Sequence, residues 1–267
     1  MGHLHASRAS VDEVCERLER DGYAIIEGML DPETLARTRA ELVRITEDTP
    51  EGRNNFEGFQ TRRIYALFAK TRVLDGAVTH PLILGALDRV LGEYQLSQPT
   101  SISIGPGETA QNLHTDDSVY PVPRPHKEMV ANAMWAMDDF TEANGATHII
   151  PRSHYDAPVP EDRFDYSQTI RAIMPAGSVC LFVGSLFHAG GANHTEKPRM
   201  GVVLEYCANW LRPQENHYLA VPKETVRELP ERLQELLGYN VFGLLGNVDG
   251  RHPKRTLAAA GAPDGDG

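Results

Sequence analysis

The chain has too little cysteine to be held together by sulfur. Cys15, Cys180 and Cys207 form an odd set, scattered over 267 residues without a CxxC pair. No disulfide framework and no thiolate zinc site is expected, and a reducing compartment fits. Basic residues are also scarce, with 26 Lys and Arg against 37 Asp and Glu for a formal net charge of −11. Such a chain repels phosphate backbones and anionic bilayers, so no nucleic acid and no membrane is expected as a partner. It contains no run of about 20 apolar residues that could span a bilayer. The opening MGHLHASRASVDEV lacks an apolar stretch, so no secretory leader is expected, and a cytoplasmic location follows. No internal repeat is visible, and the one biased segment, AAAGAPDGDG at the end, is expected to be disordered.

What remains is an ordinary globular composition, 41% hydrophobic and 24% charged. Up to about residue 95 the pattern is mainly helical. Ser10 and Glu13 make a capping box ahead of Val11, Val14 and Leu18, and Gly22 ends the helix. A short strand is expected at Tyr23–Ile26. Asp31-Pro32 opens a helix to about Ile45, and His80-Pro81 opens another with Ile83, Leu87, Val90 and Leu91 on one face. From about residue 98 to 210, short β-branched and aromatic segments alternate with turn residues. Strands are expected at Thr100–Ile104, Asn112–Asp116, Val130–Met137, Thr147–Ile150, Ser178–Val183 and Met200–Cys207. Many short strands without intervening helices argue for a sandwich or barrel, with a jelly roll as the preferred arrangement. One last helix is expected after Pro222, carrying Val226, Leu229, Leu233, Leu236 and Leu237, with Gly238 as its stop. The reading is therefore a mainly β fold with flanking helices, one domain over residues 1–267, with segment 211–267 holding the last helix and the tail. Trp135 and Trp210 are expected in the core.

Among 11 histidines, two stand in telling company. In NLHTDDS, His114 and Asp116 are two residues apart, and on a strand such residues share a face. In LFVGSLFHAGGANHTEKPRMGVVLEY, an apolar strand ends at His188, a GG loop turns the chain, and Arg199 opens the next strand. Two imidazoles and one carboxylate are the ligand set of non-haem Fe(II) oxygenases, which leaves coordination positions open for a cosubstrate and oxygen. A buried Arg beside them offers a bidentate fork to a carboxylate. His194 competes with His188 but lies in a polar turn, and Asp117 competes with Asp116 but falls on the opposite face of a regular strand. His154 is read as capping a loop. Tyr120, Phe140, Phe187 and Tyr206 are candidate pocket residues and equally candidate core. Arg53–Gln60 and Pro121–Lys127 have the composition of lid segments.

At these motifs the sequence resembles the phytanoyl-CoA dioxygenase family of Fe(II)/2-oxoglutarate oxygenases. The resemblance covers nearly the whole chain and is most specific in QNLHTDDS, WAMDDFTEANGATHIIPRSHY and MPAGSVCLFVGSLFHAGGANHTEKPR. It implies a double-stranded β-helix (jelly-roll) core, iron held by His114, Asp116 and His188, and Arg199 paired with the distal carboxylate of 2-oxoglutarate. The QxxHxD pattern and QTRRIYALFAK look closest to members acting on specialised metabolites. The matching contacts to 2-oxoglutarate would be Arg63, Gln111 and Thr147. Arg63 is uncertain by one register with Arg62, and Asn112 is the alternative to Gln111. Two departures stand out. Arg152 occupies a turn position that is often Gly in the family, and Gly190 stands where some relatives carry a Ser that assists 2-oxoglutarate.

The resemblance implies oxidation of a C–H bond of a small organic molecule with Fe(II), 2-oxoglutarate and O2, releasing succinate and CO2. Because the carboxylate ligand is present, hydroxylation, desaturation or ring chemistry is expected rather than halogenation. The net charge of −11 favours a neutral or cationic substrate. A homodimer is among the assemblies that relatives adopt. Two rivals stand beside this reading: a jelly-roll metalloenzyme that does not use 2-oxoglutarate, and a non-catalytic binding module of the same fold.

Overall fold

The structure, a computed structural model, describes residues 2–155 and 157–258. Most of the biased tail, and with it the expectation of disorder, lies outside the described residues.

The chain opens with strand β1 (Leu4–His5), helix α1 (Val11–Asp21), β2 (Tyr23–Glu27) and α2 (Pro32–Glu47). The capping box at α1 forms as expected, with Glu13 N donating to Ser10 Oγ at 3.2 Å and Ser10 N to Glu13 Oε2 at 2.9 Å. Gly22 ends α1 at φ 84°. A β-carbon at Gly22 would also run into the His154 ring at 2.7 Å, so the position excludes side chains twice over. Asp31 Oδ1 caps α2 by accepting from Glu33 N and Thr34 N. There follow β3 (Thr61–Ile64), the short helices α3 (Leu67–Lys70) and α4 (Asp75–Val78), and α5 (Pro81–Val90) with Pro at its start.

The sheet region comprises β4 (Tyr94–Ile104), β5 (Val130–Ala136), β6 (His148–Ile149), β7 (Ile170–Arg171), β8 (Val179–Val183), β9 (His188–Ala189) and β10 (Arg199–Ala208). Seven strands join in the order β1-β2-β8-β5-β10-β4-β3, and three more in the order β7-β6-β9. The expected jelly-roll core with helices packed on it is what the chain forms. Strand β10 shows how the two faces divide labour. Val202, Leu204 and Tyr206 are fully buried in the main hydrophobic core with Val14, Ile83 and Leu87 of α1 and α5. Arg199, Val203 and Glu205, the alternate residues, face an interior cavity instead.

Five expectations need correction. The first 95 residues are not only helical around one strand, since β1 and β3 also join the large sheet and β4 begins at Tyr94, ahead of Thr100. β3 reads TRRI, and its two charges conceal a strand that has Thr61 and Ile64 buried. Asn112–Asp116 is not a strand. Its backbone groups bond one at a time to different segments, Leu113 N to Arg163 O and Asp116 N to Gly184 O, and a 3₁₀ turn starts at Asp116. The last helix is two, α7 (Lys223–Glu228) and α8 (Glu231–Leu236), preceded by the single turn α6 (His217–Ala220). Pro230 forces Leu229 to an extended ψ of 149° and so breaks the helix. Trp210, expected in the core, is half exposed, while Trp135 is fully buried. His154 does less to cap its own loop than to tether it, donating from Nε2 to Glu19 O of α1 at 2.9 Å.

The turn before His154 explains one family departure. Arg152 sits at φ 68°, in the left-handed region where glycine is free of strain. Its backbone N donates to Asp21 O at 2.9 Å, so the conformation is imposed by the contact with α1. Arg152→Gly is expected to stabilise the protein by about 1 kcal/mol, raising the melting temperature by about 2–4 °C in a thermal scan.

Candidate active site

Two backbone hydrogen bonds, His114 N to His188 O and His188 N to His114 O, each 3.0 Å, lock the two histidines opposite one another. Each ring is then aimed by its own chain. His114 Nδ1 lies 2.8 Å from Asn112 O and His188 Nδ1 lies 3.0 Å from Leu186 O. A carbonyl can only accept, so each Nδ1 carries the hydrogen and each Nε2 is left facing inward. The rings are 4.4 Å apart. Asp116 completes the group, with Oδ1 3.7 Å from His114 Nε2 and Oδ2 3.4 Å from His188 Nε2. Asn132 on β5 donates from Nδ2 to Asp116 Oδ2 at 2.8 Å, which fixes the carboxylate. All three offer ligand atoms within 4.8 Å of one another. Burial, and then the neighbouring His188, hold the His114 imidazole down at about 4, so it is neutral at physiological pH and presents a lone pair. Inward-facing ring nitrogens converging on a carboxylate are a donor set that asks for a cation, and the residues fit a divalent metal with facial open positions.

The cavity above this group has a volume of about 250 Å³. Arg199 enters it from β10 with only 2% of its surface exposed. Its guanidinium lies 4.0 Å over the Phe140 ring, and Nη2 donates to Gly145 O. No carboxylate among the described residues lies within ion-pair distance. Burial pulls the guanidinium down to about 9, Asp138 opposes the fall, and Arg63 adds to it. Desolvating an ion costs several kcal/mol, and carbonyl dipoles with one aromatic face offset only part of that. Arg63 faces the same cavity from β3, donating to Glu57 O at 3.0 Å and Phe56 O at 3.2 Å. Two guanidiniums looking into one cavity, neither with a carboxylate of the described residues at ion-pair distance, fit a small dianion.

At β3 it is Arg63 that faces the cavity, while Arg62 points the other way, toward Thr46 O and Glu51. Gln111, not Asn112, is the neighbour that faces the cavity. Its side chain lines the cavity, while Asn112 offers only its carbonyl to His114. Thr147 is buried and lines the cavity too. Asp117 turns away and pairs with His126 at 3.2 Å, and His194 is exposed. Of the four aromatics considered for the pocket, none lines it. Phe140 instead supports Arg199 from beneath, and the buried Tyr206 donates its hydroxyl to Val78 O. The cavity wall is Phe56, Met134 and Phe182 with the polar residues Gln98, Glu205 and Gln214, none of which was singled out from the sequence. Strand parity from Arg199 could have found Glu205. Of the first segment expected as a lid, Phe56 lines the cavity and packs edge-on against His114 at 5.2 Å. The second segment does not reach the cavity, and Arg124 is tied to Ser153 O.

A family model for phytanoyl-CoA dioxygenase (PhyH) matches residues 18–201. Among curated relatives, the dioxygenase ALT11 of Alternaria alternata is 35% identical, over 86% of this chain and 82% of its own. Among solved structures, the non-haem α-ketoglutarate-dependent carbocyclase SnoK of nogalamycin biosynthesis superposes with a TM-score of 0.63, at 21% identity, over 83% of this chain and 94% of its own. HygX of Streptomyces hygroscopicus, solved with nickel, 2-oxoglutarate and hygromycin B bound, superposes with a TM-score of 0.63, at 16% identity, over 75% of this chain and 88% of its own. The chain belongs to the phytanoyl-CoA dioxygenase family. It is an oxygenase on the jelly-roll core of that family.

The second departure, Gly190, also has a structural answer. Gln111 Oε1 accepts from Gly190 N at 2.9 Å, and a β-carbon on Gly190 would meet that oxygen at 2.7 Å. The glutamine amide fills the space where a serine side chain would stand. Gly190→Ala is expected to push Gln111 off this bond and destabilise the protein by about 1–3 kcal/mol, read by urea unfolding.

Proposed function

We propose that His114, Asp116 and His188 hold Fe(II), that Arg199 binds the distal carboxylate of 2-oxoglutarate, and that the chain oxidises a C–H bond of a small specialised metabolite. The observation that carries this is the pairing of a two-imidazole, one-carboxylate cluster with a buried guanidinium that has no carboxylate of its own. Bound there, the iron with 2-oxoglutarate and O2 supplies oxidation of an unactivated C–H bond, with release of succinate and CO2.

The residues of the chain supply position and a dry site. Asn132 holds the Asp116 carboxylate, and the Asn112 and Leu186 carbonyls hold the rings. Arg63, Gln111 and Thr147 complete the 2-oxoglutarate pocket around Arg199. The helical segment and the sheets act as one domain, because Arg63 comes from β3 and Arg199 from β10 of the same sheet. A carboxylate at position 116 favours hydroxylation, desaturation or ring chemistry over halogenation. Among the described residues no helix is long and apolar enough to cross a membrane, and the cytoplasm is the compartment we assign.

Anaerobic titration of the purified protein with Fe(II) and then 2-oxoglutarate is expected to give a weak visible charge-transfer band. The band should vanish in His188→Ala. In Arg199→Ala, 2-oxoglutarate affinity should fall about a hundredfold, the worth of a charge-assisted bidentate pair. Iron binding without the band would point to a metalloenzyme that does not use 2-oxoglutarate. No iron binding at all would leave a binding module.

A further inference from the structure

The cavity contains an acid that the iron and 2-oxoglutarate do not use. Glu205 sits on β10 at the opposite end from Arg199, about 20 Å along the strand. It is 5% exposed and lines the cavity. Its polar partners are amide and hydroxyl groups only. Gln214 Nε2 donates to both carboxyl oxygens, at 2.9 and 3.1 Å, and the Ser97 hydroxyl faces it. Among the described residues no Lys, Arg or His nitrogen lies within ion-pair distance of it. Burial, with the Asp116 carboxylate adding to it, pushes this carboxyl up to about 8. Unpaired, such an acid avoids the cost of a buried charge by keeping its proton, and an entering cation would draw it into the charged form.

The surroundings are built to hold the acid in place. Opposite Glu205 the β10–β4 register shifts, with Leu204 facing Pro99 and Tyr206 facing Leu96. The two residues between, Ser97 and Gln98, form a bulge, a device that re-aims side chains beside active sites. The bulge accepts Gln214 N on Ser97 Oγ and Glu215 N on Ser97 O. This docking is what lays Gln214 on the carboxyl.

The same level of the cavity carries further unused acceptors. Asn132 is the direct cross-strand partner of Glu205, and its Oδ1 has no hydrogen-bond partner. Thr100 Oγ1, also lining the cavity, has none either. Asn132 Nδ2 is already committed to Asp116. A ligand matched to this wall brings hydrogen-bond donors, and a cationic donor would also draw the Glu205 carboxyl into its charged form. Since paired strands lie about 4.8 Å apart, a group on Glu205 sits one strand from the residue that holds Asp116.

We propose that Glu205, with Gln214, is the substrate anchor, and that it selects a small molecule carrying a protonated amine. This rests on the assignment of His114, Asp116 and His188 as metal ligands, since the anchor then sets which carbon faces the iron. Glu205 acts by binding; it is not asked to transfer a proton.

The test compares two molecules of one shape, 1-adamantylamine and 1-adamantanol, by calorimetric titration into the anaerobic protein loaded with Fe(II) and 2-oxoglutarate. The amine is expected to bind the wild type at least about tenfold tighter than the alcohol, the worth of one charged hydrogen bond. Glu205→Gln should abolish that preference while leaving the alcohol affinity within about threefold. Equal affinities in the wild type, or a preference that survives Glu205→Gln, would overturn the proposal. Should Glu205→Gln fail to fold, the wild-type comparison still decides, and Gln214→Ala should weaken the amine alone. The charge-transfer band of the same wild-type sample separates the two ideas. A band without amine preference defeats the anchor only, whereas an amine preference without the band defeats the oxygenase site only.

Discussion

The reciprocal backbone pair between His114 and His188 is the constraint on which the site depends. Each residue donates to and accepts from the other at 3.0 Å, although neither belongs to a long ladder. β9 is only two residues long, and His114 lies in an irregular segment. The pairing brings a loop and a short strand to one point, and Asp116 N bonding to Gly184 O swings the carboxylate underneath. A continuous strand at 112–116 would have placed His114 and Asp116 on one face but could not have curled the carboxylate toward His188. The turn beginning at Asp116 does that.

From this point the cavity is polarised by sheet geometry. β10 runs across its floor and presents alternate residues inward, beginning with a guanidinium at 199 and reaching a carboxyl at 205. The other face of the same strand carries Met200, Val202, Leu204 and Tyr206 into the main hydrophobic core. Burying Arg199 and Glu205 without counter-ions is expensive, and the large helix-backed core is what offsets it. Gly201 belongs to the same arrangement. A β-carbon there would strike the Phe140 ring at 2.8 Å, and that ring is the one carrying the Arg199 guanidinium.

The cluster of His114, Asp116 and His188, and Arg199 beside it, were legible in the sequence because each is a local signal: an HxD, a His at the end of an apolar run, an Arg opening the next one. Arg63 and Gln111 came through the family resemblance, and both line the cavity. What the sequence hid depends on pairing between distant segments. TRRI reads as polar until β4 beside it shows why Thr61 and Ile64 are buried. The end of the expected last helix was local, and Pro230 should have marked it. The pocket wall was misjudged for a simple reason. Large aromatics such as Tyr206 are most useful where water is excluded completely, so they fill the core behind the sheet. The cavity instead keeps Gln98, Glu205 and Gln214, polar groups that a composition-based reading assigns to the surface.

The loop at the cavity mouth connects these features. Phe56 O accepts from Arg63 Nη2 at 3.2 Å and from Gln111 Nε2 at 2.6 Å, and the Phe56 ring rests on His114. Three residues of the site thus hold one loop residue that is itself half exposed. An anion arriving between Arg63 and Arg199 competes for donors that now serve the Phe56 carbonyl. A guanidinium has five N–H groups and an amide two, so the competition is partial and the loop need not be released. It follows that the cover over His114 and the proposed grip on 2-oxoglutarate draw on the same side chains, and a change at Arg63 or Gln111 would alter both together.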